Sequence, residues 1–481
     1  MAEPLWTFDE LVRVAEGKAE GRAKPRIFGF SIDTRSLEAG DVFVALEDQR
    51  DGHEFVGAAF ARGAVAALVN TAYAKQPDDG PLIRVDDPLR ALERIGIAAR
   101  ARLSDTARVI AVTGSAGKTG TKEMLRACLR AAAASPAKVH APEKSFNNHW
   151  GVPLTLARMP AGTEFGVFEI GMNHAGEILP LTKMVRPHIA IVTNVLPVHV
   201  GNFPDGEVGV AKAKAEIFEG LEVGGTAILL RDSPHFALLR GRAEAAGAKV
   251  LRFSTIDAAS DALCAGGGVR WAGDVEAPLT HVSAVVRSSL GARRLSYDLA
   301  MPGGHIVSNS LAVLLVLDVL GHLSNETLRP LAEVRPPAGR GARTVFKTSR
   351  VLLIDEAYNA NPRSMQEALA VLAAVDREQH PRRIAVMGDM LELGEKAETY
   401  HKALKPEAEK ADLAFACGAN MRHLFNALPP EKQGAWAPTS DELIVPLLAA
   451  LVAGDAVMVK GSLGTRMAPI VEAIKKRFAD G

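Results

Sequence analysis

The sequence predicts an α/β protein of three domains, and three observations carry that prediction. Short apolar runs alternate with amphipathic helical patterns along most of the chain, the pattern of parallel sheets covered on both faces. A Gly-rich turn, Gly114-Ser115-Ala116-Gly117-Lys118-Thr119, lies between one such run and one such helix. The 481 residues amount to about three units at roughly 150 residues each.

Taken in order, residues 1–105 hold strand patterns at 27–32, 41–46, 64–69 and 82–85, with helical patterns at 54–61 and 89–103. They read as a small α/β domain. Residues 106–332 read as the central domain. Its first strand, 109–112, is a continuous apolar run, and the helix after the Gly-rich turn places Met124, Leu125, Cys128 and Leu129 on one face. Further strands are expected at 166–170, 189–192 and 227–230, an antiparallel flank at 282–287 and 294–299, and a helix at 305–320. The segment EVRPPAGRGAR, 333–343, is rich in Pro, Gly and Arg and reads as linker and turn. Residues 333–481 then form a third, Rossmann-like domain. Its strands are expected at 351–355, 384–387, 413–416 and 456–459, and its helices at 364–375, 399–410, 441–452 and 467–478. It has no G-x-G-x-x-G turn.

Composition narrows the function classes. Lys+Arg and Asp+Glu both number 56, so no whole-protein field attracts nucleic acid or anionic lipid, and any anion site is local. The three cysteines, Cys128, Cys264 and Cys417, are far apart and lack metal-ligand spacing, which fits buried thiols in a reducing compartment. The first ten residues carry neither a basic nor an apolar signal-peptide region, and the apolar run 311–320 is about half of a bilayer-spanning length. A cytoplasmic protein without membrane insertion is expected.

The Gly-rich turn is the first chemical landmark. The long phosphate-loop spacing G-x-x-x-x-G-K-[ST] would need Gly at position 112, where Val112 stands, so the loop is a short form. Glycines let backbone N–H groups turn inward around phosphate oxygens, and the helix start adds positive potential. Lys118 would neutralise the β and γ phosphates, and the Thr119 hydroxyl would ligate Mg²⁺. Downstream, Glu169 ends a strand pattern, where ligands bind in a parallel sheet. His199 stands just past another strand. Lys212 and Lys214 stand at what reads as a helix start, where the macrodipole disfavours cations. No N-K-x-D guanine reader is present.

Together these residues resemble the Mur ligases, ATP-dependent amide-bond-forming enzymes. The resemblance covers essentially the whole chain. It is carried by SIDTRSLEAGDVFVAL and DGHEF in the first domain, and by GSAGKT, NNHWGVPLTL, FEIGMNHAGEI and AKAKAEIF in the second. In the third it is carried by DEAYNANPRSM, VMGDMLELG and KGS. YNANPRSM with VMGDMLELG looks most like the member that joins D-alanyl-D-alanine to UDP-N-acetylmuramoyl-tripeptide in peptidoglycan synthesis.

The resemblance implies a role for individual residues. Gly114, Ser115, Ala116, Gly117, Lys118 and Thr119 would hold ATP. Asn309 would read adenine, Asp355 would lie near the ribose, and Arg340 would reach the phosphates from the last domain. Thr119 and Glu169 would bind one Mg²⁺, and His199 with a carbamylated Lys214 a second. Lys118, Lys214, His199 and Arg340 would carry the chemistry. Ser31, Thr34 and Arg35 would meet the UDP part, Asn147 and Asn148 the sugar nucleotide or adenine. Asn359, Asn361, Lys460 and Ser462 would face the acceptor. A monomer is expected. Two departures stand out: Gly120 where relatives carry a second Thr, and Ile306 where they often carry Asn. Another Mur ligase with a different acceptor, a folylpolyglutamate synthase and a regulatory P-loop ATPase remain alternatives, although the first domain speaks against the folate enzyme.

Overall fold

The computed structural model describes residues 3–479 apart from 143–144, 199, 274–277, 289–290, 302 and 337. Three main sheets succeed one another along the chain. The first has five strands in the order Lys18–Glu20, Leu82–Val85, Ala66–Asn70, Asp41–Val44, Gly29–Ser31, all parallel except the first. A small antiparallel pair, Trp6–Thr7 with Arg26–Ile27, flanks it. The helical pattern at 89–103 is realised as Pro88–Ala101, opened by the Asp87 side chain accepting from Leu89 and Arg90 N–H.

The central sheet has nine strands. Val139–His140, Phe165–Glu169, Arg108–Thr113, Ile189–Val192, Thr226–Leu230, Lys249–Ser254 and Ala262–Gly273 lie side by side in parallel. Pro278–Ser288 and Gly291–Leu299 then complete it antiparallel. The expected flank is therefore present, but longer and joined to the main sheet through Ala262–Gly273. That strand is hidden in the sequence because CAGGGVR sets three glycines in a row, Gly266 to Gly268, and glycine is depleted in strands. Two layers cover the faces. Helices Lys118–Ala132 and Gly304–Val319 pack on one side, with Met124, Leu125, Cys128 and Leu129 all fully buried there. Helices Gly151–Ala157, Ile178–Val185, Glu207–Ala215 and Phe236–Ala245 pack on the other.

Arg108–Thr113 lies between Phe165–Glu169 and Ile189–Val192, and the chain crosses from one side of it to the other. That reversal makes a crevice at the strand's C-terminal end, where ligands bind in open α/β sheets. The Gly-rich turn begins there.

The third sheet runs Ala342–Val345, Leu352–Glu356, Ala456–Lys460, Arg383–Gly388, Leu413–Cys417, Gln433–Ala437, parallel after its antiparallel first pair. Its helix Pro362–Ala373 starts at Asn361, whose Oδ1 accepts from Ser364 N–H while Ser364 Oγ accepts from Asn361 N–H. The single helix expected over 399–410 is instead two, Ala397–Lys402 and Lys405–Ala408, because Pro406 cannot donate into a continuing helix. All three cysteines are free and buried. Among the described residues, no helix is long and apolar enough to cross a membrane.

The first two domains are cemented by arginines. Arg158 Nε donates to Phe30 O at 2.7 Å, Arg100 Nε to Val185 O at 2.8 Å, and Arg102 Nη2 to Met159 O at 2.8 Å. Arg102 also stacks 3.8 Å over the Trp6 ring. The third domain meets the second through other polar contacts. Arg340 Nη2 donates to Ser145 Oγ at 3.4 Å, His305 Nδ1 lies 2.9 Å from Glu367 Oε2, and Gly201 N–H donates to Glu392 O at 3.3 Å.

Candidate active site

The phosphate loop takes its shape from two glycines and from its neighbours. Gly117 has φ +81° and opens the helix Lys118–Ala132; a Cβ there would stand 2.2 Å from Asn309 Nδ2. Gly114 has φ +151°, and a Cβ there would stand 1.9 Å from Thr193 Oγ1. No other residue fits either position. The loop is also fastened sideways. Ser115 N–H donates to Asn194 O at 3.1 Å, and Ala116 N–H to Asn194 Oδ1 at 2.9 Å. Ala116 O accepts from Thr193 Oγ1 at 2.7 Å and from Asn194 Nδ2 at 3.2 Å. Ser115 Oγ and Leu196 exchange two further bonds. These contacts leave the N–H groups at the helix start, from Gly117 onward, facing the crevice as donors for an anion.

Lys118 bends back so that Nζ donates to Gly114 O at 2.8 Å. Burial holds its pKa below the usual lysine value, Glu169 works against that shift, and nearby Arg340 adds to it. Thr119 Oγ1 donates to Glu169 Oε2 at 2.9 Å and lies 3.0 Å from Ser145 Oγ. Asn147 Nδ2 donates to Glu169 Oε1 at 2.8 Å. Glu169 is 1% exposed and ends its strand opposite Val112, beside the loop. A buried carboxylate beside two hydroxyls and a phosphate loop is a set of hard oxygen donors suited to Mg²⁺.

Lys214 is buried, and it makes no hydrogen bond or ion pair with any described residue. Burial, with Lys118 adding to it, pushes its pKa well below the usual lysine value. The structure corrects the reason this lysine is unusual. Lys212 and Lys214 sit in the last turn of Glu207–Ala215, not at its start, so the helix dipole favours both. Lys212 is an ordinary surface cation paired with Asp205 at 2.6 Å. The anomaly of Lys214 is desolvation. His199 lies outside the described residues.

A cavity of about 440 Å³ runs from the loop to the third domain; Lys118, Asn147, Glu169, Arg340, Lys460 and Ser462 all line it. Asn359 and Asn361 line it too, although Asn361 Oδ1 is taken up by the helix cap. Lys460 is buried and donates to Asn359 O at 2.9 Å, with Glu356 Oε2 at 3.3 Å. Ser462 Oγ donates to Ala360 O at 3.3 Å and accepts from Leu391 N–H at 3.0 Å. A second cavity of about 560 Å³ continues past Ala116 and Gly117 to Asn309, His305 and Glu367. Asn309 is buried, and its Nδ2 has no hydrogen-bond partner among the described residues, which leaves a donor for a planar base in that cavity.

Five of the expected residues line neither cavity. Asp355 does not line either cavity: Oδ2 accepts from Gly339 N–H at 3.0 Å and Oδ1 from Ala357 N–H at 3.1 Å, so the carboxylate stands behind the loop that carries Arg340. Asn148 is exposed, and its Oδ1 accepts from Gly151 N–H at 2.9 Å at the start of Gly151–Ala157. Ser31, Thr34 and Arg35 lie at the end of Gly29–Ser31 in the first domain, away from both cavities, with the Arg35 guanidinium forked on Asp33 at 2.7 Å. The two departures both line the first cavity. A Cβ at Gly120 would meet nothing within 4 Å, and Ile306 packs into the central core.

Comparison with known proteins agrees with the geometry. The Mur ligase middle domain matches residues 112–317, and the Mur ligase, glutamate ligase domain matches residues 342–463. The UDP-N-acetylmuramoyl-tripeptide–D-alanyl-D-alanine ligase of Escherichia coli (strain K12) is 32% identical over 98% of both chains. The chain belongs to the Mur ligase family. The ligase of the same name from Bacillus subtilis (strain 168) is 32% identical over 82% of this Mur ligase and 80% of its own length. The crystal structure of MurF from Acinetobacter baumannii superposes with a TM-score of 0.80 at 27% identity, covering 98% of this chain and all of that one. As a Mur ligase, the protein is an ATP-dependent enzyme that forms amide bonds.

Several residues that build this Mur ligase site carry no motif of their own. Thr193 and Asn194 come directly after the strand Ile189–Val192, and only their place beside the loop strand marks them. Ser145 carries no signal beyond lying next to a conspicuous motif, and Tyr358 stands inside YNANPRSM without a role of its own being readable there.

Proposed function

We propose that this protein joins D-alanyl-D-alanine to UDP-N-acetylmuramoyl-tripeptide in the cytoplasm, with ATP hydrolysed to ADP and phosphate. The observation that carries the reading is the single cavity lined at once by Lys118 and Glu169 of the second domain and by Arg340, Lys460 and Ser462 of the third. Relatives of the same length that are named for this reaction support it.

The tripeptide's terminal carboxylate oxygen attacks the γ-phosphorus and ADP leaves, giving an acyl phosphate. The dipeptide amine then attacks the acyl carbon, loses a proton, and phosphate departs as the amide forms. Thr119 and Glu169 would hold a Mg²⁺, which would supply charge neutralisation at the phosphates. Lys118 and Arg340 converge on the same point from opposite domains, which places two cations where negative charge accumulates. Asn309 orients the base from the side of the loop. Lys460, desolvated beside Glu356, faces the acceptor end of the cleft.

Lys214 acts as a carbamate. A buried amine pushed toward its neutral form is the form that captures carbon dioxide, and the resulting anion would relieve the crowding with Lys118 and add an oxygen ligand for a second Mg²⁺. Intact-mass measurement in bicarbonate should show one added carbon dioxide, absent in Lys214→Ala.

Phosphate release tests the whole reading. It should require ATP together with both the UDP-muramoyl tripeptide and D-alanyl-D-alanine, with the amide product seen by mass spectrometry. Release with either acceptor left out, at the same rate, would overturn the proposal in favour of a regulatory ATPase. Product formed only with a folate and glutamate would move the protein to the related synthases.

A further inference from the structure

Arg340 approaches the phosphate loop between two glycines, so something else must aim it. Gly339 has φ +74° and Gly341 has φ +99°, and neither offers a side chain to restrain the residue between them. Restraint comes from two neighbours. The Asp355 carboxylate accepts the Gly339 N–H, and its backbone oxygen accepts the Gly341 N–H at 2.8 Å, so the bend is pinned on both sides of Arg340. Tyr358 N–H donates to Gly339 O at 3.0 Å, and the Tyr358 ring lies under the guanidinium, 4.0 Å from Cζ to the ring centroid. A Cβ on Gly339 would stand 2.9 Å from Tyr358 Cβ, so the glycine is what lets the ring come close enough to stack.

We propose that Tyr358 is a positioning residue: its ring is the platform that holds the Arg340 guanidinium in the direction of the phosphate loop, and Asp355 fixes the bend on which both depend. The inference rests on the reading of Arg340 as a phosphate-facing cation. The stack leaves the guanidinium edge free, and that edge is what donates to Ser145 Oγ at the loop. A planar cation on an aromatic face keeps its in-plane donors for an anion, which an ion pair to a carboxylate would consume.

The test compares Tyr358→Phe and Tyr358→Leu in the full-length enzyme, each with Arg340 intact and with Arg340→Ala. Phe keeps the ring face and should turn over within about twofold of the parent. Leu removes the face and should lower kcat about tenfold, the size of a partly desolvated cation–π contact, with KM for the UDP substrate unchanged. In the Arg340→Ala background the Leu substitution should cost nothing further. An equal loss in both backgrounds overturns the platform role, as does a raised KM for ATP with unchanged kcat, which would place the ring against the nucleotide. If Arg340→Ala alone leaves turnover intact, it is the reading of Arg340 that fails. Tyr358 is 38% exposed, so the Leu variant should fold, and an unchanged thermal midpoint checks that.

Discussion

Individual side chains in this protein are best understood by what burial has done to them. Lys118 and Lys214 are both pushed toward the neutral form by desolvation, and Lys118 pushes Lys214 further. Such a pair invites an anion, whether a phosphate or a carbamate. Histidines tell a related story away from the site. His188 Nδ1 accepts the Val109 N–H at 2.9 Å, next to the base of the loop strand, so it must be unprotonated there. Burial pushes its pKa down to about 4, and Arg100 and Arg108 push the same way. Between the unfolded value near 6.5 and the folded value near 4, the unfolded chain binds more protons, so stability is present above pH 6.5 and is lost as pH falls through that window. His188→Asn, which keeps an acceptor for Val109 without a proton to gain, should flatten the fall in thermal midpoint between pH 6.5 and 4. An identical acid limb in the variant would exclude His188 as its source.

At the scale of elements, helix starts and strand ends do most of the placing. Pro362–Ala373 begins at Asn361 and brings Arg363 and Glu367 to the cavity that Asn309 lines. Asn361→Ala should cost about 1 kcal/mol by urea unfolding, while Asn361→Ser should largely retain the cap. The elements legible in the sequence are those with strong periodicity. The strand 109–112, its helix, and the strands expected at 351–355, 384–387, 413–416 and 456–459 lie where apolar spacing puts them. Four edge strands are not legible. Lys18–Glu20, Val139–His140, Ala342–Val345 and Gln433–Ala437 are short or polar, and pairing with a neighbour, not their own pattern, makes them strands. The same distinction holds at the site. Lys118, Thr119 and Glu169 are readable because their chemistry is local to a motif. The fastening by Asn194 is not, because it joins residues far apart in the chain. The platform under Arg340 is equally hidden, since no motif says which way the Tyr358 ring turns.

For the molecule as a whole, the unequal seams decide what moves. Arginines tie the first domain to the second through backbone carbonyls. The third domain is held by side-chain and loop contacts, and one of them, His305 with Glu367, lies in the cavity that Asn309 lines. Arg363 shares the same carboxylate, 2.9 Å from Glu367 Oε1. Arg340 already stands beside the loop at Ser145, so the motion this seam governs is the opening of the third domain. Glu367→Gln weakens the seam without touching the loop, so release of a fluorescent ADP should become severalfold faster in stopped-flow. An unchanged release rate would show that this contact does not restrain the third domain.

The sideways fastening of the phosphate loop has a consequence for the catalytic cycle. A turn riveted at both Ser115 and Ala116 to the segment that follows the adjoining strand has little freedom to flap open and let spent nucleotide escape. Spent nucleotide is therefore expected to leave on the side of the lobe opposite, by that lobe swinging away.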